Sequence, residues 1–358
     1  MKSQKSYRVI GLMSGTSLDG LDIAFCEFSF TKTWKFALRF ADTVVYSTEW
    51  RTRLARAHLL SAEDLLTLHA SYGVFLGQQV TQFIRKHKVK HVDFIASHGH
   101  TIFHQPEKGF TFQLGQGAAI HAVTDLPVIY DFRSLDVASG GEGAPLVPVG
   151  DKLLFSKYDV CLNLGGIGNL SMDIKGQRKA FDICYCNMAL NYLMNKEEKS
   201  FDAGGEIASS GKVNKKLLEG IEKIYADYHA KRPSIGREGF EKSVQPLLDD
   251  AGISTADKLR TISESVAIEV AAAIAPMKKN ATLLITGGGA LNTFLIKIIA
   301  EKLKGRAEVI IPSAKIIEFK EALVFAFLGV LRTRGEINVL KSVTRARQDS
   351  IGGEVIGF

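Results

Sequence analysis

No run of about 18 apolar residues occurs in the chain, which excludes a typical membrane-spanning helix. Cysteine is scarce: Cys26, Cys161, Cys184 and Cys186 do not make a disulfide framework in 358 residues. Cys184-x-Cys186 also lacks the second Cys/His pair that a structural zinc site needs. Basic blocks are missing too. The formal net charge is +7, but Lys and Arg are scattered, often among acids as in Lys196-Glu-Glu-Lys199. With no basic stretch interleaved with aromatics, nucleic acid is not an expected partner; the excess serves solubility and favours small anionic substrates. Residues Met1 to Arg8 enter a strand directly and lack a secretory leader's apolar core and cleavage site, so a cytoplasmic protein is expected. Two phosphate-binding signatures are absent as well. There is no Gly-Lys-Ser/Thr step of a P-loop, and no glycine turn has dinucleotide-fingerprint spacing with an acid about twenty residues on.

What is present is an ordinary globular composition, 46% hydrophobic and 23% charged, at a length for which two domains are the prior. The most informative stretch is the first. An apolar strand, Tyr7 to Leu12, runs into a loop carrying Ser14, Gly15, Thr16, Ser17, Asp19 and Gly20, and a second strand, Leu21 to Phe28, leaves it. Glycines bring backbone N–H groups close to an anion and hydroxyls add donors. Asp19 fits such a loop only if a divalent cation binds there too, which makes it a candidate metal–phosphate site. An ordinary Gly/Asp hairpin turn is the alternative.

Lys35 to Tyr46 reads as a third strand, and Ser61-Ala-Glu-Asp64 as the capped start of a helix running from Leu65 to Lys86. Val92 to Ala96 is a short strand ending in Ser97-His-Gly-His-Thr101, the position where α/β sheets bind ligands. His98 is therefore a candidate, with a structural histidine as the other reading. After the strand Leu126 to Tyr130 comes Asp131-Phe-Arg133. Arg133 either grips a carboxylate or phosphate or pairs with Asp131 or Asp136. The small, glycine-rich stretch Ser139 to Pro145 is the candidate interdomain crossing, giving domains 1–140 and 141–358, with the final helix or tail packing back on the first.

The second half restarts with the same layout: a strand (Asp159 to Leu164), the turn Gly165-Gly-Ile-Gly-Asn169, then a strand (Leu170 to Ile174). A third strand, Gln177 to Asp182, ends in an acid, and a helix follows from Asn187. Later come a long helix (Asp257 to Met277), a buried strand (Thr282 to Ile285) and the turn Thr286-Gly-Gly-Gly-Ala-Leu-Asn292, read as opening a helix. The helix Glu321 to Arg332 closes the domain, and the tail past Asn338 looks loosely structured. Three glycine turns after apolar strands, in two halves of duplicated layout, resemble the actin-like ATPases: α/β proteins of two ribonuclease H-like lobes around a central nucleotide and sugar cleft.

Within that superfamily the wording resembles the anhydro-N-acetylmuramic acid kinases. The runs that carry the likeness are Gly11-Leu-Met-Ser-Gly-Thr-Ser-Leu-Asp-Gly20, Ser97-His-Gly-His-Thr101, Asp131-Phe-Arg133, Gly140-Gly-Glu-Gly-Ala-Pro-Leu-Val-Pro148, Asn163-Leu-Gly-Gly-Ile-Gly-Asn-Leu170, Phe181-Asp182 with Asn187-Met188, Phe201-Asp202 and Thr286-Gly-Gly-Gly-Ala290. They follow the family's order over nearly the whole chain. The resemblance implies an ATP- and Mg²⁺-dependent enzyme that opens the 1,6-anhydro bridge of an amino sugar and phosphorylates O6. It implies Asp182 as the general base. For the first hairpin (Gly11, Met13, Ser14, Gly15, Thr16, Ser17, Asp19, Gly20) it implies the ATP phosphates, with Asp19 on the metal. Gly165, Gly166 and Asn169 would brace the β/γ end, and Gly287, Gly288 and Gly289 would face adenosine. His98, Arg133 and Glu321 would meet the sugar, with Arg133 on its lactyl carboxylate. On residue type alone, Asp182 also reads as a strand-end capping acid and Glu321 as a helix N-terminal acid.

The chain departs from the family at one place next to the base. Where Thr-Gly-Pro-Gly-Asn is common, this sequence has Ile183-Cys-Tyr-Cys-Asn187, which predicts a stiffer and bulkier loop. His100 also replaces a usual Gln. Two other functions stay open on the residues: a catalytically impaired nucleotide or sugar sensor, and a kinase of another sugar. A symmetric homodimer is the default for self-associating enzymes.

Overall fold

The computed structural model describes residues 6–231 and 234–358. Arg232 and Pro233 lie outside the described residues, as do residues 1–5 at the start of the Met1 to Arg8 stretch. The chain divides into two compact units, Met1–Leu154 with Phe319–Phe358, and Phe155–Glu318.

The first unit is built on an antiparallel meander of β1 (Ser6–Ser14), β2 (Gly20–Phe30) and β3 (Trp34–Val45). Val9, Ile10, Leu12, Ile23 and Ala24 are all but fully buried, so the sheet is covered on both faces. A parallel fourth strand needs a crossover, and the helix Ala62–His87 supplies it. Ser61 caps that helix by accepting from Asp64 N at 3.1 Å, and Leu68, Tyr72, Leu76, Val80 and Phe83 form its buried stripe. β4 (Phe94–Gln105) then lies parallel to β1, with β5 (Phe110–Leu114) pairing antiparallel to its far half. β6 (Val128–Tyr130) follows β4 in parallel.

Three sequence readings change here. β4 does not stop at Ala96; β5 satisfies the backbone groups of residues 100–105, so Ser97 to Thr101 lie inside the strand. The stretch Ser139 to Pro145 belongs within the first unit. Asp136 accepts from Gly143 N and from the Thr344 hydroxyl, both at 2.8 Å, and Glu142 N donates to Thr344 O at 2.7 Å. The tail past Asn338 is ordered. The buried Asn338 amide donates to Leu328 O (3.1 Å) and Gly352 O (2.9 Å) and accepts from Gly352 N (2.7 Å), and β12 (Glu354–Ile356) adds to β6. That order comes from bonds between distant residues, which leave no periodicity to read.

The second unit repeats the plan. β7 (Val160–Leu164), β8 (Ile167–Ile174) and β9 (Gln177–Tyr185) form a meander, and β10 (Ala281–Thr286) and β11 (Ala307–Ile310) join β7 in parallel. The long crossover carries the helix Thr255–Ala273, capped by Ser254 and buried at Leu259, Ile262, Val266 and Val270. In both sheets the order is third, second, first, fourth strand, and then a further parallel strand: β3-β2-β1-β4-β6-β12 and β9-β8-β7-β10-β11. This is the ribonuclease H-like layout of the actin-like ATPases, present twice. The helix Ala314–Arg334 breaks its regular path at Phe319 (φ −111°, ψ 15°), where the division between units falls. Among the described residues no helix is long and apolar enough to cross a membrane.

Candidate functional site

Each unit holds its own set of candidate groups. In the first, the tip between β1 and β2 presents Thr16, Ser17 and Asp19 to solvent, with Gly15 half-buried. Ser17 Oγ donates to Asp19 Oδ1 at 2.8 Å, which orients the carboxylate. Ser14 differs from these. Its hydroxyl is buried and lies 2.9 Å from His100 Nδ1 and 2.6 Å from the Tyr46 hydroxyl, which in turn meets the Tyr72 hydroxyl at 2.6 Å. Burial pushes His100 down to about 4 and both tyrosines up, so the chain of four groups is neutral near pH 7. Tyr46, Tyr72 and His100 were not among the predicted site residues; only His100 had a sequence signal, as a departure from the family's Gln.

The predicted glycines of this hairpin divide by surroundings. A Cβ on Gly11 would sit 2.0 Å from Ala322 O, and one on Gly20 would meet Val44 O at 2.8 Å, so both sit where another backbone approaches closely. Gly15 has only Ser17 Oγ at 3.3 Å and Ser17 N at 4.0 Å around that position. Met13 is half-buried and pairs across to Asp22.

His98, Arg133 and Glu321 come together in the same unit. Arg133 Nε and Nη2 donate to His98 Nε2 at 3.1 and 2.9 Å, and Nη1 donates to Gly143 O at 2.8 Å. His98 Nδ1 lies 2.9 Å from Gly99 O, so the neutral Nδ1–H tautomer satisfies both nitrogens. Burial and the adjacent guanidinium hold His98 well below the usual histidine range. Arg133 is lowered to about 10 by desolvation, with Glu321 opposing that shift. The ion pair of Arg133 with Asp131 or Asp136 is not what forms: Asp131 Oδ1 accepts from Ser134 N, and Asp136 holds Gly143 and Thr344. Glu321 is open to solvent, yet enough protein surrounds its carboxyl to raise the pKa, with Arg133 and Lys320 pulling it down and Asp22 pushing it up. It stands two residues past the break at Phe319, in the first turn of the continued helix, so its placement also suits a helix N-terminal acid.

In the second unit the turn between β7 and β8 is Gly165-Gly166. The N–H groups at the start of the helix Asn187–Lys196 pin its carbonyls: Cys186 N and Met188 N donate to Gly166 O, and Asn187 N to Gly165 O. Around a Cβ on Gly166 the nearest atoms are 3.9 Å away. Asn169 lies inside β8, since the strand begins at Ile167, and it pairs directly with Asp182. Asp182 is likewise not at a strand end, because β9 runs on to Tyr185. The register slips there: Asn169 faces Asp182 while Gly168 faces Cys184, so Ile183 is the extra residue of a bulge. Ile183, Cys184, Tyr185 and Cys186 are all buried, so the stretch expected as a stiff loop is strand and helix entry built into the core.

Asp182 is half-buried, and Oδ2 accepts from Ile235 N at 3.0 Å. Desolvation raises its pKa, while the Ile235 N–H and the Ser234 hydroxyl work against the rise. A carboxylate so placed is able to take a proton from a water molecule at a less acidic pH than a free aspartate would. The late glycine turn does not open a helix directly. Residues Gly288–Leu291 form a short 3₁₀ turn, and the helix Thr293–Lys302 is capped by Asn292, whose side chain accepts from Leu295 N. Gly287 and Gly289 pack on Leu164, and Gly288 is the exposed one of the three.

Among the described residues no three His, Cys, Asp or Glu side chains converge as a metal cage. Mg²⁺ does not need such a cage: it takes one or two carboxylates and completes its shell with water and substrate phosphates. Asp19 is the exposed carboxylate of the first hairpin.

The family model described as anhydro-N-acetylmuramic acid kinase matches residues 7–357. The chain is similar to the anhydro-N-acetylmuramic acid kinase of Xylella fastidiosa, 34% identical over 356 residues that cover 94% of this chain and 93% of that protein. It is also similar to that of Paramagnetospirillum magneticum, 32% identical over 356 residues and covering 96% of this chain and 98% of that protein. Among solved structures, the activator of 2-hydroxyisocaproyl-CoA dehydratase from Clostridium difficile aligns with a TM-score of 0.44 at 11% identity, over 92% of this chain and 97% of that one.

Proposed function

The chain belongs to the anhydro-N-acetylmuramic acid kinase family and is a kinase, and on that premise we propose that it opens the 1,6-anhydro bridge of anhydro-N-acetylmuramic acid while phosphorylating O6. The products are N-acetylmuramic acid 6-phosphate and ADP, as in the cytoplasmic recycling of cell-wall fragments. Asp182 carries this reading: a half-buried carboxylate with a raised pKa, held by Ile235 N, supports a general base.

In the proposed step Asp182 takes a proton from water as the water oxygen bonds to the anomeric carbon. The C1–O6 bond breaks. O6, which a glycosidase would protonate, instead bonds to the γ-phosphorus of ATP, and the bond to the β-phosphate bridging oxygen breaks to release ADP. Gly15, Thr16 and Ser17 on the first hairpin, and Gly165, Gly166 and Asn169 on the second, are assigned to the phosphates. Ser14 sets the hairpin from below through His100 and Tyr46. Gly288 is assigned to the adenosine. Bound Mg²⁺ supplies charge neutralisation, and Asp19 is the residue assigned to hold it.

Arg133 is assigned to the sugar's lactyl carboxylate, with His98 and Glu321 beside it. His98 and Gly143 engage three of its five N–H groups, leaving one on each terminal nitrogen for a ligand. Lysine cannot reproduce that fork. Arg133→Lys is expected to raise the KM for the sugar roughly 10- to 150-fold, equivalent to about 1.5–3 kcal/mol for a hydrogen bond to a charged group. The KM for ATP should stay near wild type, and steady-state kinetics in both substrates checks the split.

The reaction itself is tested by incubating purified protein with ATP, Mg²⁺ and anhydro-N-acetylmuramic acid. Sugar-dependent ADP and the 6-phosphate, identified by mass spectrometry, are expected. ADP formed only with other sugars would make it a kinase of another substrate, and tight binding without turnover would make it a sensor.

A further inference from the structure

Asp182 does not stand alone on β9. The segment Ser234-Ile235-Gly236 lies over it. Ile235 N donates to Asp182 Oδ2 at 3.0 Å, and the Ser234 hydroxyl beside it favours the charged form of the same carboxyl. The segment is itself tied down at its third residue, because the Tyr185 hydroxyl donates to Gly236 O at 3.2 Å. Tyr185 is in turn held at its backbone: its N–H donates to the buried Tyr225 hydroxyl at 3.0 Å, and its ring packs edge-on against Phe240 with centroids 5.5 Å apart. Tyr185 belongs to the stretch in which this chain departs from its family, three residues after Asp182 and beyond the bulge at Ile183.

We propose that Ser234-Ile235-Gly236 is a positioning clamp for Asp182, locked by the Tyr185 hydroxyl, that holds the carboxylate rotamer and leaves Oδ1 to face the water. This rests on the reading of Asp182 as the base. The Ile235 N–H restricts the carboxyl's torsion, and both it and the Ser234 hydroxyl favour its charged form. Holding a reacting group in one geometry is a large part of what an active site contributes. The substitution of the family's glycines by Cys184 and Cys186 fits the same picture. With both thiols and Tyr185 buried, β9 is anchored in the core up to the residue that locks the clamp.

Among the described residues, few titratable groups act on Asp182. Cys184 and Tyr185 feel its charge from its own strand, and burial pushes the protonation of both upward, so both are neutral near pH 7. Asn169 pairs with it from β8 and does not titrate. Glu238 and Tyr228 act on Tyr185, and Glu269 acts on Cys184. Ser234, at the surface, is therefore the side chain whose removal changes the carboxyl's surroundings with least disturbance to the core.

The test is the pH profile of kcat/KM for wild type, Ser234→Ala, Ser234→Thr and Tyr185→Phe, with Asp182→Asn as reference and melting temperature as a check on folding. Loss of a donor to the charged form raises the carboxyl's pKa. The acid limb of Ser234→Ala should therefore move upward by roughly one pH unit, the equivalent of about one hydrogen bond to a carboxylate. Tyr185→Phe should move it the same way with a lower kcat, and Ser234→Thr should restore the wild-type limb. Coincident limbs for wild type and Ser234→Ala, with Asp182→Asn inactive, would overturn the clamp and leave the base reading intact. An active Asp182→Asn would remove the base reading, and the clamp with it.

Discussion

Asp182→Asn is expected to lower turnover by about 10²–10⁴-fold, the contribution of a positioned general base, with ATP and sugar binding little changed. The amide keeps the shape of the side chain, and its oxygen still accepts from Ile235 N, so the β8–β9 pairing and the segment at 234–236 have no reason to move. What disappears is the proton acceptor. The wild-type profile carries the same signature. The carboxylate is the active form, so activity is full above its pKa and falls as the pH drops through it. Because burial raises that pKa, the acid limb lies above the ordinary aspartate value. The asparagine variant should show neither the rate nor that limb. Single-turnover measurements of sugar phosphate and ADP at several pH values check both. An asparagine variant within a few-fold of wild type would mean that another group activates the water.

The two-sheet architecture is legible because it rests on local patterning. Short apolar runs in β1, β2 and β7, the Ser61 cap and the 3.6-residue stripe of Ala62–His87 all mark elements from short-range chemistry alone. What is not legible depends on distant partners. β4 continues through His98 because β5 pairs with it, β9 continues past Asp182 because Ile183 bulges, and the tail is held by Asn338. The first two errors place a candidate residue, His98 and Asp182, at a strand end when it lies within a strand, and neither changes which residues are candidates. The clearest gap is Ser14. A hydroxyl in a glycine loop reads as a phosphate donor, and only the fold shows that it is committed to His100 and Tyr46 from below.

The glycines make a sharper case, since sequence treats them alike and the structure does not. Gly11 lies in β1 beneath the helix Ala314–Arg334, where an added Cβ would fall 2.0 Å from Ala322 O and 3.0 Å from Ala326 Cβ. The obstructing atom is backbone in a buried helix, so the helix has to shift, and with it Glu321 on the next residue. Gly11→Ala is therefore expected to destabilise the protein by about 1–3 kcal/mol or more through overpacking. The melting temperature should fall by roughly 2–10 °C. Gly166 is the opposite case. Its Cβ position is exposed and has only Met188 atoms at 3.9 Å, so Gly166→Ala should change stability by no more than about 0.5 kcal/mol. If this turn approaches a phosphate closely, the added methyl group stands in the way of the ligand alone. The KM for ATP should then rise about tenfold, or roughly 1.4 kcal/mol, at an unchanged melting temperature. Thermal denaturation and ATP kinetics on the two variants separate the roles. A Gly11→Ala protein as stable as wild type would contradict the packing assignment, and a Gly166→Ala protein with wild-type ATP kinetics would remove the second hairpin from the phosphate site.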